Sequence, residues 1–211
     1  MLSAAQNSAR IITDMNVKEH FRQTLAAAMA DQNVEAEEET AYYLVNVLTH
    51  FSRTENLFAA TPDGPMIPPL ALLYAQAAVT QDMAVRQDLL RRLGDTALLI
   101  GGIFSGSLSR KAVDVDYYIG MGGSAFSYLS DMAEGAWRLR ALRGVYAELS
   151  AKFQLFVDVL DAVGERSQLT SPQDTLRVYD LWTKTGSPRA AAKLRKLGIE
   201  PIANPRFARH N

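Results

Sequence analysis

The sequence predicts an all-α fold: a single-domain bundle of about seven helices that closes with a C-terminal helical hairpin. Three observations carry this. The eight prolines lie at positions 62, 65, 68, 69, 172, 188, 201 and 205, and none falls between Leu70 and Ser171. Proline removes a backbone donor and clashes with the preceding turn, so a proline-free span rich in Ala, Leu, Arg and Asp suits long helices. Apolar residues also recur at steps of three and four through most of the chain, whereas no period-two run bounded by turn dipeptides competes.

The elements follow in order. Residues 1–15 are small and polar and are expected to form a mobile or peripherally docked arm. Asn16 is placed to cap a helix whose face is Val17, Phe21, Leu25 and Met29, ending near Gln32. Glu35 to Glu39 then put negative charge at the exposed N–H groups of a second helix. Its apolar face is Ala41, Leu44, Val45, Leu48 and Phe51. The stretch FAATPDGPMIPP cannot continue a helix and reads as a long loop, with Pro68 or Pro69 opening a short helix, LALLYAQAAV. Gln81 or Asp82 opens a longer one that ends or kinks near Gly101. After Gly135, the residues Leu142, Tyr146, Leu149, Phe153, Phe156, Leu160 and Val163 alternate steps of four and three. That seam suits one long core helix or a helix in a dimer contact. Ser171–Pro172 and Ser187–Pro188 each read as a cap with a first-turn proline, and Gly186 and Gly198 as stops. The domain is therefore expected to span 16–198, with an irregular tail at 199–211.

Composition narrows the functional classes. Of 211 residues, 48% are hydrophobic and 21% charged, which excludes a disordered chain. A formal net charge of -1 gives no overall field to gather nucleic acid or anionic lipid. Cysteine is absent, which excludes disulfides, thiolate metal sites and thiol nucleophiles and fits a reducing compartment. With no apolar run behind a basic start and no run of about eighteen apolar residues, neither a signal peptide nor a membrane span is expected. The expected location is the cytoplasm.

The stretch from Asp114 to Met132, DVDYYIGMGGSAFSYLSDM, is the most unusual in the chain. Asp114 or Asp116 suits the N-cap of a helix opening at Tyr117. The competing reading is a polar pocket in which these carboxylates join Tyr117 and Tyr118, with His20 and His50 from two adjacent helices completing the lining. Two aspartates two apart do not share a helix face, and no His lies in an E-x-x-H or H-E-x-x-H motif, so no metal site and no cofactor are predicted. Gly120, Gly123, Ser124 and Ser127 recur at i, i+3, i+4 and i+7 and are read as a small face for close helix packing, within the fold or across a dimer. The opposite face, Tyr118, Met121, Ala125, Leu129 and Met132, reads as core. A glycine phosphate cradle is disfavoured, because neither phosphate-loop pattern is present. Near the end, Arg189, Lys193 and Lys196 share one face and suit either solvent or an anionic partner.

The combination of GDTALLIGGIF, VDVDYYIGMGGSAFSYLS with its D-x-D-Y-Y-x-x-M-G-G pattern, and VYDLWTKTGSPRAAAKLRKLGI resembles a family of bacterial all-helical cytosolic proteins. The resemblance runs through most of residues 17–198 and implies a bacterial cytosolic helical protein without a defined chemistry. Three functions compete on this basis. The leading one is a non-enzymatic interaction or regulatory protein that forms a homodimer, with an acidic protein as a further candidate partner. The second is a ligand-binding protein or enzyme with its pocket around Asp114–Tyr118. The third and weakest is nucleic-acid binding through the C-terminal hairpin.

Overall fold

The computed structural model describes residues 2–52, 59–61, 64–103, 115–135 and 140–167, together with 178, 179, 182, 191, 192, 194, 195 and 199. Among these residues the fold is an all-α bundle of seven helices: α1 (Leu2–Asp31), α2 (Glu38–Phe51), α3 (Leu70–Val79), α4 (Met83–Gly101), α5 (Val115–Gly135), α6 (Arg143–Ala151) and α7 (Phe153–Arg166). A single 3-10 turn, Arg140–Leu142, precedes α6. No helix among the described residues is long and apolar enough to cross a membrane.

The first helix starts at Leu2 rather than after Asn16. Nothing in residues 2–31 interrupts it: the stretch holds neither proline nor glycine, and its Ala, Leu, Gln, Arg and Met residues are good helix formers. It ends where Asn33 takes a left-handed conformation (φ 53°), which lets the Val34 N–H donate to the Met29 carbonyl at 3.0 Å. This is the usual closure of a helix that reverses direction.

Helix α2 has no cap from its own N-terminal residue Glu37. The cap comes instead from α6, where the Glu148 carboxylate accepts the Glu37 N–H at 3.1 Å. Lys152 holds that carboxylate at 2.8 Å and donates to the Glu35 carbonyl at 3.0 Å. Burial pushes the Glu148 carboxyl up, but the Lys152 hydrogen bond and the backbone N–H outweigh it, and the net shift is downward. The predicted loop carries one feature that sequence periodicity did not show: a short antiparallel pair, β1 (Ala59–Thr61) and β2 (Gly64–Met66). Three-residue strands are too short to establish an alternation.

Helix α4 is the centre of the bundle. Every residue from Leu93 to Gly101 is buried, and α3, α5, α7 and α2 all pack on it. Of the two residues expected to open it, Gln81 and Asp82, it is Asp82 that caps it, accepting from Ala84 N at 2.8 Å and Val85 N at 3.2 Å. Helix α5 lies against α4, α6 and α7. Its contact is set by Gly122, where a Cβ would stand 2.2 Å from the Phe153 ring and 2.8 Å from the Ala97 methyl. Only hydrogen fits there.

The seam of residues 142–163 is core, but two helices carry it rather than one. The chain bends at Lys152 (φ -110°, ψ 20°), between α6 and α7. The bonds Lys152 N–H to Glu148 O and Phe156 N–H to Lys152 O carry the ladder across the bend. No glycine or proline sits there. The bend coincides with the double anchorage of the Lys152 ammonium to Glu148 and to the α2 entry. Of the expected C-terminal hairpin, Leu194 and Ile199 are buried in a small separate cluster with Val178, Tyr179 and Trp182; Ala191 is buried as well, Ala192 and Arg195 are exposed, and the remaining residues lie outside the described ones.

Candidate functional site

Among the described residues, the pocket predicted around Asp114–Tyr118 is not assembled. Asp114 lies outside the described residues, Asp116 and Tyr117 are exposed, and Tyr118 is half-buried with its ring edge against Tyr117 at 5.4 Å. His20 and His50 are exposed on α1 and α2, each ring against its neighbouring phenylalanine, Phe21 and Phe51. Helix α5 packs chiefly on α4, α6 and α7, so α1 and α2 do not deliver the histidines to it.

The small face is also reassigned within the chain. Gly120 has nothing within 4 Å of a would-be Cβ, and Ser124 and Ser127 are exposed. Gly123 makes only ordinary contact with Phe153, while its carbonyl accepts the Ser150 hydroxyl at 2.9 Å. The close approach is one residue away, at Gly122, because the core side of α5 is centred on Gly122, Phe126, Leu129 and Ala133. Ala125 and Leu129 of the predicted core face are buried, and Tyr118, Met121 and Met132 pack on that core. Arg189, Lys193 and Lys196 lie outside the described residues.

Two features stand in their place. The first is a buried carboxylate, Asp95, in the all-buried half of α4. The Tyr43 hydroxyl donates to its Oδ1 at 2.6 Å, and the half-exposed Arg91 guanidinium approaches Oδ2 at 3.4 Å. Tyr43 stands edge-on to both Phe126 and Tyr146, whose rings stack 5.9 Å apart. Burial pushes the Asp95 carboxyl up to about 6, although the Tyr43 hydrogen bond and the Arg91 charge both pull it down. Burial and then the Asp95 charge push the Tyr146 phenol up to about 12 and raise Tyr43 further. This is a tightly packed polar knot among aromatic rings. Among the described residues no three His, Asp or Glu side chains converge as a metal site would need.

The second feature is a groove of ≈ 900 Å³ between α1 and α2. Leu25, Ala26 and Met29 of α1 and Ala41 and Val45 of α2 form its floor, and Lys18, Glu19, Arg22 and Glu38 stand at its rim. Three of these four rim side chains, Lys18, Glu19 and Arg22, have partners within the chain. Arg22 grips Glu19 with two bonds of 2.6 and 2.8 Å, which with the Gln23 amide hold the Glu19 carboxyl down to about 2. Lys18 donates to the Tyr42 hydroxyl at 3.0 Å and lies 4.2 Å from the ring centre, which lowers the phenol. An apolar channel flanked by Lys18, Glu19 and Arg22, all partnered, offers area and shape but no reactive group.

A further apolar surface lies on α3. Its ten residues, LALLYAQAAV, carry no charge, and Leu72, Tyr74 and Val79 are exposed, the last at 80%. Helix α3 is fixed to α4 through Arg86, which donates to the Ala77 and Thr80 carbonyls at 3.1 and 2.5 Å. A helix apolar on every side is ordinarily covered on every side.

Comparison with known proteins finds no matching family model, no similar curated protein and no matching solved structure. Sequence reasoning did not single out Asp95 or the groove. Asp95 left one signal, an Asp–Thr pair inside a stretch that is otherwise apolar on all sides, LGDTALLIGGIF. The groove left none, because its two walls are ordinary amphipathic helices until they are set side by side.

Proposed function

We propose that this protein works by binding protein surfaces rather than by turning over a substrate, and that it does so as a homodimer. The observation that carries the reading is the α1–α2 groove: apolar along its floor and bordered by Lys18, Glu19 and Arg22, each already partnered within the chain. Two neighbouring helices that leave a channel between them accept a third helix, whose apolar side chains fill the gap at i, i+3, i+4 and i+7. The exposed, uncharged α3 adds a second surface of the same kind. The buried Asp95 knot supports the arrangement by tying α2 to α4, the two helices joined through Tyr43.

Light scattering on the purified protein at tens of micromolar tests this. The expected mass is about twice the chain mass of 23.2 kDa. A monomeric mass over that range overturns the homodimer.

A further inference from the structure

Resting on that homodimer reading, we infer that the groove between α1 and α2 is filled by the first half of α1 from a second copy, running antiparallel. The argument starts from length. At about 1.5 Å per residue, the thirty residues of α1 span about 45 Å and the fourteen of α2 about 21 Å. Helix α2 therefore accompanies about half of α1, and the groove is confined to that half.

The groove stripe of α1 is Lys18, Arg22, Ala26 and Met29, at helical steps of four and three. Carrying the same steps back along the sequence reaches Met15, Ile11, Ser8 and Ala4. One stripe thus changes character along a single helix: apolar and small in sequence before residue 16, charged at 18–22, and apolar again at 26–29. A stripe of that form is self-complementary under a two-fold axis through its charged middle. In the register that sets Glu19 of one copy against Arg22 of the other, Met15 comes opposite Ala26 and Ile11 opposite Ala30. The symmetry makes the Glu19–Arg22 pairing twice, and Lys18 comes opposite the polar Gln23. Arg10, the only basic side chain before residue 16, comes opposite Asp31, one residue past the groove-lining Ala30. Ala26 and Ala30 are exposed in the chain and small, which lets the second helix approach closely. Because the two-fold repeats the contact, the dimer buries two docked segments, on the order of the 1,600 Å² of a standard interface.

The chain has no cysteine, so cross-linking can be placed at will. The double variant Ile11→Cys/Ala30→Cys, treated with a short bismaleimide, is expected to give a covalent dimer. An internal link is out of reach, since nineteen helical steps separate the two positions by about 28 Å. Ala26→Arg is expected to raise the dimer dissociation constant on the order of a hundredfold by placing an unpaired charge in the contact. Its far-UV circular dichroism should match the parent, because the site is exposed in the chain, while its thermal midpoint should fall only by the linkage lost with the dimer and stop depending on protein concentration. A parent dimer that neither cross-links through this pair nor responds to Ala26→Arg overturns the inference and leaves the homodimer standing. A parent monomer overturns both. A monomer whose native mass spectrum retains an amphiphilic small molecule assigns the groove to that ligand instead.

Discussion

Asp95→Asn isolates the most perturbed group in the core. The amide keeps an acceptor for the Tyr43 hydroxyl, which stands 2.6 Å from Oδ1, but cannot ionise. In the parent, burial raises the Asp95 carboxyl from an ordinary 3.8 to about 6. An acid whose folded value is raised binds its proton more tightly in the folded state. Its stabilising contribution is therefore complete below about pH 3.8 and fades as pH rises through 6. At about 1.4 kcal/mol per pH unit, the interval amounts to about 3 kcal/mol. Urea unfolding of parent and variant, at half-unit steps from pH 3.5 to 7.5, should show their stability difference moving by about that amount in favour of the variant. Groups common to both proteins, such as Glu19 and Glu148, cancel in the difference. Parallel curves, or a difference that moves in favour of the parent, would refute the claim that Asp95 is held in a desolvated site.

Two further outcomes follow from the packing. Gly122→Ala forces a methyl into the Phe153 ring and should lower stability by about 2–3 kcal/mol, whereas Gly120→Ala meets nothing and should gain about 0.5–1 kcal/mol; thermal melts of the two variants decide it, and equal midpoints would refute the assignment of the close face. Glu148→Ala removes the cap that α6 supplies to α2 and should cost about 1 kcal/mol, read by denaturant midpoint, with amide exchange at Glu37 speeding up while the ends of α4 stay unchanged.

Each helix was legible in the sequence where its signal is local. The Pro62–Pro69 break, the Asp82 cap, the stop at Gly101 and the apolar faces of α2 and α7 each depend on residues within a turn or two of one another. Backbone sterics and hydrogen-bond geometry act over that range, so spacing alone reveals them. Missing side chains were legible too, but not their use: of the glycines at 120, 122 and 123, it is the one facing Phe153 and Ala97 that brings α5 close.

What only the tertiary structure decided is whatever depends on which helix lies beside which. The burial of Asp95 under Tyr43, the capping of α2 by Glu148 from more than a hundred residues away, the bend at Lys152 and the groove above Leu25 and Val45 all join positions far apart in the chain. The periodicity of one helix fixes which side is apolar. It does not fix the neighbour that side meets, because many helix pairs satisfy the same stripe and the choice among them rests on the shape of the packed contact.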